Sequence, residues 1–126
     1  PLGFKIGQIP YTKERFFDAD KKLAKKAIAA GKKLGLKIIN GTIATGDIFL
    51  ENNKKASKIM TDFGADAIDM EAAAVGQTCY YNEIPFIAIK AISDSADNSS
   101  SKNFQEFLNQ AALNSFKLVQ EVIKTM

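Results

Sequence analysis

Three short stretches of this chain hold side chains that can do chemistry together: "ATGDIFL" at residues 44–50, "DMEA" at residues 69–72 and "SDSAD" at residues 93–97. Asp94 is an acid able to protonate a leaving group, Glu71 a carboxylate able to accept hydrogen bonds from a pair of hydroxyls, and Phe49 an aromatic face on which a flat ring can stack. Each also has a plainer reading. Phe49 can be core packing, Glu71 a helix-start carboxylate satisfying its own backbone, and Ser93 with Asp94 ordinary turn and capping chemistry. What separates the readings is whether the three clusters share one rim of the fold.

The composition narrows the chemistry before any motif is weighed. The chain has no histidine, so proton transfer falls to Asp, Glu, Lys or Tyr. Cys79 is the sole cysteine, which excludes an internal disulfide and, with histidine absent, the usual nitrogen and sulfur metal sites. "GTIATGD" spaces Gly41 and Gly46 like the glycines of a phosphate loop, but Asp47 and Ile48 stand where Lys and Ser or Thr are needed. An anionic side chain there repels a triphosphate. The same stretch is no nucleophile elbow, because no serine sits between the glycines and no histidine exists to activate one.

The elements that must position these clusters follow from the pattern. Asp18 or Asp20 caps a helix across the lysine-rich stretch "KKLAKKAIAAGKK", with Leu23, Ala24, Ala27, Ile28 and Leu34 on its apolar face and Gly35 at its end. Residues 36–46 predict a strand and residues 52–63 a second helix closed by Gly64. "ADAIDM" predicts a short strand running into a helix whose small residues from Ala72 to Gly76 suit close packing on a sheet, and Pro85 opens a further strand over "PFIAIKAI". A long final helix carries an apolar stripe from Phe104 through Phe107, Leu108, Ala111, Ala112, Ser115, Leu118, Val119 and Val122 to Ile123. Asn103 and Glu106 form its capping box. Strands alternating with helices predict an α/β layered fold, in which sites are built at the carboxyl ends of the strands. All three clusters fall at such ends.

With 126 residues the chain is one domain's worth at most, and 46% hydrophobic content suffices for one modest core. No apolar run reaches the roughly 18 residues of a membrane span and no cleavable signal opens the chain, so the expectation is a soluble, cytoplasmic protein. The chain begins in mid-pattern with Leu2, Phe4 and Ile6, which reads as a fragment or processed piece. The net charge of +3 is concentrated in six lysines from Lys21 to Lys33, and Arg15 is the sole arginine. A solvated helix face accounts for the lysines. The rival is a non-catalytic, lysine-rich polyanion binder, whose affinity would fall steeply with salt.

Taken in order, "ATGDIFL", "IDMEAAAVGQTCY" and "IPFIAIKAISDSAD" resemble the consecutive signatures of the 5'-methylthioadenosine/S-adenosylhomocysteine nucleosidases, within the nucleoside phosphorylase/hydrolase fold. The likeness runs from Pro1 to the C-terminus. It implies a layered mixed β-sheet flanked by helices, with residues 1–126 forming the C-terminal part of a single nucleosidase domain. The implied reaction is hydrolysis of an N-ribosidic bond with release of adenine, with no cofactor and no metal. By the family pattern Asp94 protonates N7 of the leaving adenine, positioned by Ser93. Glu71 binds the ribose hydroxyls, Met70 packs on the sugar, Phe49 stacks on the purine, the Leu50 backbone reads the adenine edge, and Phe104 helps close the 5' pocket. The physical logic agrees, since adenine leaves poorly until protonated and the sugar passes through an oxocarbenium-like state.

The implied partners are a small-molecule nucleoside and a second copy of the chain, the homodimer placing residues 2–10, opened by Leu2 and closed by Pro10, near the partner's site. No membrane and no nucleic acid are implied. The chain departs from the pattern at Asp69, where Glu is usual, at Lys90, where Arg is common, and at Leu2, an aromatic position. The family's amino-terminal half, with the Glu that activates water, is not in this sequence, so the chain alone is expected to be inactive. A sister purine nucleosidase or nucleoside phosphorylase is the nearest alternative, but phosphorolysis calls for arginines downstream of Arg15, and none is present.

Overall fold

The computed structural model describes residues 3–10, 12–50, 53–92 and 104–126, with side chains from residue 108 onward in the last stretch. The order of elements is α1 (Lys21–Lys33), β1 (Ile43–Thr45), α2 (Asn53–Phe63), β2 (Ala67–Asp69), α3 (Ala72–Tyr81) and α4 (Phe104–Ile123). The α/β expectation holds.

Local chemistry sets the helix ends. Asp20 Oδ1 accepts from the backbone N–H groups of Lys22 and Leu23, each at 2.8 Å, and Lys32 and Lys33 oppose the dipole in the last turn. At the far end the Leu36 N–H bonds to Gly31 O at 2.9 Å and the Gly35 N–H to Lys32 O at 3.1 Å, with Gly35 at φ +67°. This closure needs a left-handed residue, which glycine adopts at least cost. The capping box of α4 involves Asn103, which lies outside the described residues.

β1 and β2 pair in parallel with register Ile43↔Ala67, Ala44↔Ile68 and Thr45↔Asp69, and α2 is the crossover that a parallel pair requires. Their carboxyl ends therefore coincide. Among the described residues the expected strand over residues 36–46 pairs only at Ile43–Thr45. Residues 85–92 run without a ladder to any described segment. Ile87 and Ile89 from this run pack, with Leu36 and Ile38, against the core of Ala27, Ala30, Leu118 and Val122 where α1 meets α4. An apolar β-branched run thus earned its burial from helices rather than from sheet neighbours.

Two apolar faces are narrower than expected. On α1 the buried residues are Ala27, Ala30 and Gly31, while Leu34 sits exposed at the cap. Among the described side chains of α4 only Leu118 and Val122 are buried, and Leu108, Val119 and Ile123 are exposed. Lys33 pairs with Glu121 of α4 and Lys26 donates to the Thr125 carbonyl just past its end, so two lysines of α1 hold α4 and the residues that follow it. Arg15 is also structural: it donates to the carbonyls of Ile6 and Asp62 and lies 5.0 Å from the ring centroids of Phe16 and Phe63, holding the first described segment to α2. Among the described residues no helix is long and apolar enough to cross a membrane.

Candidate active site

The coincident ends of β1 and β2 place Thr45 beside Asp69, and the chain from Asp69 turns through Met70 and Glu71 directly into α3. The first N–H groups of a helix need acceptors. Here they are served from the strand ends: Asp69 Oδ2 accepts from Ala72 N–H at 3.0 Å, and Thr45 Oγ1 accepts from Ala73 N–H at 2.9 Å. Thr45 Oγ1 in turn donates to Asp69 Oδ1 at 2.6 Å. Glu71 occupies the N-cap position at φ −130° yet makes no side-chain cap bond.

Instead, Glu71 faces a cation. Lys90 Nζ lies 2.9 Å from Glu71 Oε2 and 2.7 Å from Asp69 Oδ2, bridging the two carboxylates. The Asp69 side chain is 9% exposed, that of Glu71 63%. Burial pushes the Asp69 carboxyl up, but the Lys90 ammonium, the Thr45 hydroxyl and the Ala72 N–H outweigh it and hold the group below its ordinary value. Hydrogen bonds to Asp69 and Glu71 raise Lys90 above the usual lysine range against the opposing effect of burial. The cluster is a fixed ammonium with one buried and one outward-facing carboxylate.

The expected site residues fall as follows. Glu71 is at the rim, with its carboxylate outward. Met70 is 45% exposed and Phe49 68% exposed, so Phe49 is not core packing in this chain, and Leu50 is half-buried. Ser93 and Asp94 lie outside the described residues. Phe104 opens α4, and its side chain lies outside them too. Lys90 carries the 85–92 run to within contact of Asp69 at the end of β2 and of Glu71 at the start of α3, which brings the third segment to the same rim as far as that residue.

The reading of residue types missed Thr45 and gave Asp69 and Lys90 only as departures from a pattern. The structure puts those two departures in contact with each other. A cavity of about 230 Å³ lined by Asp18, Asp20, Cys79, Tyr80 and Phe86 among others includes none of these rim residues. Among the described residues no group of three potential metal ligands is assembled.

Comparison with known proteins adds a second line. The family model described as the phosphorylase superfamily matches residues 1–124. The 5'-methylthioadenosine/S-adenosylhomocysteine nucleosidase of Haemophilus influenzae (strain PittEE) is 39% identical over 123 residues, covering 97% of this chain and 53% of that protein. That of Bacillus subtilis (strain 168) is 37% identical over 122 residues, with 96% and 53% covered. Among solved structures, the Neisseria meningitidis 5'-methylthioadenosine/S-adenosylhomocysteine nucleosidase in complex with methylthio-immucillin-A superposes with a TM-score of 0.88 at 38% identity, covering 98% of this chain and 54% of that one. The futalosine hydrolase of Helicobacter pylori strain 26695 gives a TM-score of 0.87 at 26% identity, with 98% and 53% covered. The chain spans about half the length of the relatives it matches.

Proposed function

This chain belongs to the phosphorylase superfamily, and from that premise we propose that it forms the C-terminal part of a nucleosidase domain hydrolysing the N-ribosidic bond of 5'-methylthioadenosine and S-adenosylhomocysteine. The observation that carries the reading is Glu71: its carboxylate is left free of helix capping, paired with Lys90 and turned outward at the joint strand ends. A fixed anion in that place suits two ribose hydroxyls and a sugar gaining positive charge.

In this reading Asp94 is the general acid to adenine N7 with Ser93 beside it. Phe49 stacks on the base, the Leu50 backbone reads its edge, Met70 packs on the ribose and Phe104 borders the 5' substituent. The protein acts as a cytoplasmic homodimer with residues 2–10 near the partner's site, and these 126 residues need the remainder of the domain for turnover. A relative that is a futalosine hydrolase supports a second assignment of the same bond cleavage with a different 5' substituent.

The test is release of the free purine base by the full-length polypeptide carrying these residues, adenine from 5'-methylthioadenosine and S-adenosylhomocysteine and hypoxanthine from futalosine, each with and without phosphate. Hydrolysis of the first two without phosphate is expected. Strict phosphate dependence overturns the assignment, and cleavage of futalosine alone moves it to the sister activity. Asp94→Asn should cut kcat by about 10²–10⁴, the usual share of a general acid, with substrate affinity retained. Near-normal turnover removes Asp94 from its role.

A further inference from the structure

We propose that Asp69 is a positioning residue for Glu71, acting through Lys90, so that ribose recognition is built by a string of three side chains anchored in the sheet. The proposal rests on the nucleosidase reading above and deepens it.

Glu71 cannot hold its own direction. It is exposed, makes no cap bond and has a flexible side chain, so an unaided carboxylate would lose rotamer freedom on meeting a ligand. Lys90 alone is a poor anchor, being a point charge on a four-carbon stem. The rigidity comes from Asp69, which is nearly buried and held by Thr45 Oγ1 at 2.6 Å and Ala72 N–H at 3.0 Å. Thr45 ends β1, Asp69 ends β2, and Ala72 opens α3, so both holding groups are set by backbone already fixed in regular structure. Asp69 Oδ2 then fixes the Lys90 ammonium at 2.7 Å, and the ammonium fixes Glu71 Oε2 at 2.9 Å. The Lys90 bond falls on Glu71 Oε2, and in this proposal Oε1, which has no partner among the described residues, takes a ligand hydroxyl.

The geometry also explains why a single ammonium is shared. Two carboxylates at one strand end repel, and a cation between them turns that repulsion into a fixed separation. Because Lys90 comes from the third segment, its pairing ties the run that leads to Asp94 to the carboxylate proposed to hold the sugar.

The experiment uses the full-length polypeptide with the wild-type sequence, Asp69→Asn, Lys90→Met, Lys90→Arg, Glu71→Gln and the Glu71→Gln/Lys90→Met double variant. KM and kcat are measured with 5'-methylthioadenosine and its 3'-deoxy counterpart, and Kd with free adenine by calorimetry. Asp69→Asn and Lys90→Met should each raise KM for the hydroxylated substrate about tenfold, equivalent to about 1.4 kcal/mol. The 3'-deoxy substrate and adenine should change by less than about twofold, Lys90→Arg should recover most of the loss, and Lys90→Met should add nothing once Glu71→Gln is in place. Equal losses on all three ligands would mean a merely structural pair and overturn the proposal, as would unchanged KM. A wild-type protein that binds adenine but neither nucleoside overturns the nucleosidase reading itself.

Discussion

Thr45→Val isolates the hydrogen bonds at the joint strand ends while keeping the side chain's shape. The hydroxyl it removes donates to Asp69 Oδ1 at 2.6 Å and accepts from Ala73 N–H at 2.9 Å. A bond to a charged acceptor contributes about 1.5–3 kcal/mol, and the lower end applies because Thr45 is only half-buried. The lost acceptor for a first-turn N–H adds about 1 kcal/mol, and the better strand propensity of valine returns a few tenths. The net loss is about 2 kcal/mol, or about 8 °C in Tm at about 4 °C per kcal/mol.

The pH dependence follows from Asp69, whose folded value is depressed. Such a group contributes stability above its unfolded value of about 3.9, and that contribution is lost as pH falls through the folded value. The deficit of Thr45→Val should thus be complete near neutrality and shrink below about pH 4, leaving the helix-start contribution alone. Circular-dichroism melts across this range measure it, with Thr45→Ser, which keeps the hydroxyl, melting close to the wild type. A deficit under about 0.5 kcal/mol, or one of the same size at every pH, refutes the reasoning.

Gly76→Ala places a Cβ 2.8 Å from Phe86 Cζ and 3.2 Å from Phe17 Cβ; thermal melts should show a cost of up to about 2 kcal/mol after the gain in helix propensity, and more for Gly76→Val. Neutral melts for both would mean that α3 is not closely packed there. Glu71→Ala should cost about 0–1 kcal/mol, the value of an exposed ion pair, whereas Asp69→Ala should cost about 1–3 kcal/mol because it leaves the Ala72 N–H and the Thr45 hydroxyl without their partner and Lys90 with Glu71 alone. Denaturant titration separates the two, and a Glu71→Ala loss as large as that of Asp69→Ala would mean that Glu71 caps α3 after all.

What was legible in the sequence was local. Asp20, Gly35 and Gly64 mark the ends of α1 and α2 because a cap is a bargain among residues a few positions apart, and the structure places the helix ends there. The two long apolar runs at 36–46 and 85–92 read as strands, yet among the described residues only Ile43–Thr45 is paired, since a ladder depends on a distant neighbour that no local pattern names. The broad stripe expected on α4 shrank for the same reason: which apolar residues are covered depends on what α1 offers, and α1 offers small residues, Ala27 and Ala30. At the site, Glu71 stood out by its place between strand and helix. Thr45 did not, because its partner is 24 residues away, and Lys90 meets Glu71 across 19.

The register of β1 on β2 is what decides the use of Glu71. A carboxylate at a helix start is ordinarily taken up by the helix's own N–H groups. In this chain the pairing of Thr45 with Asp69 delivers a hydroxyl and a carboxylate to those groups from the sheet side, and both are engaged before Glu71 is reached. A slip of one residue in that pairing would turn Thr45 and Asp69 to opposite faces. The helix would then draw on Glu71 for its cap, Lys90 would lose the buried member of its pair, and the outward carboxylate would disappear from the rim. A short, three-residue strand pair therefore contributes less by its own stability than by fixing which acid caps the helix and which stays turned outward.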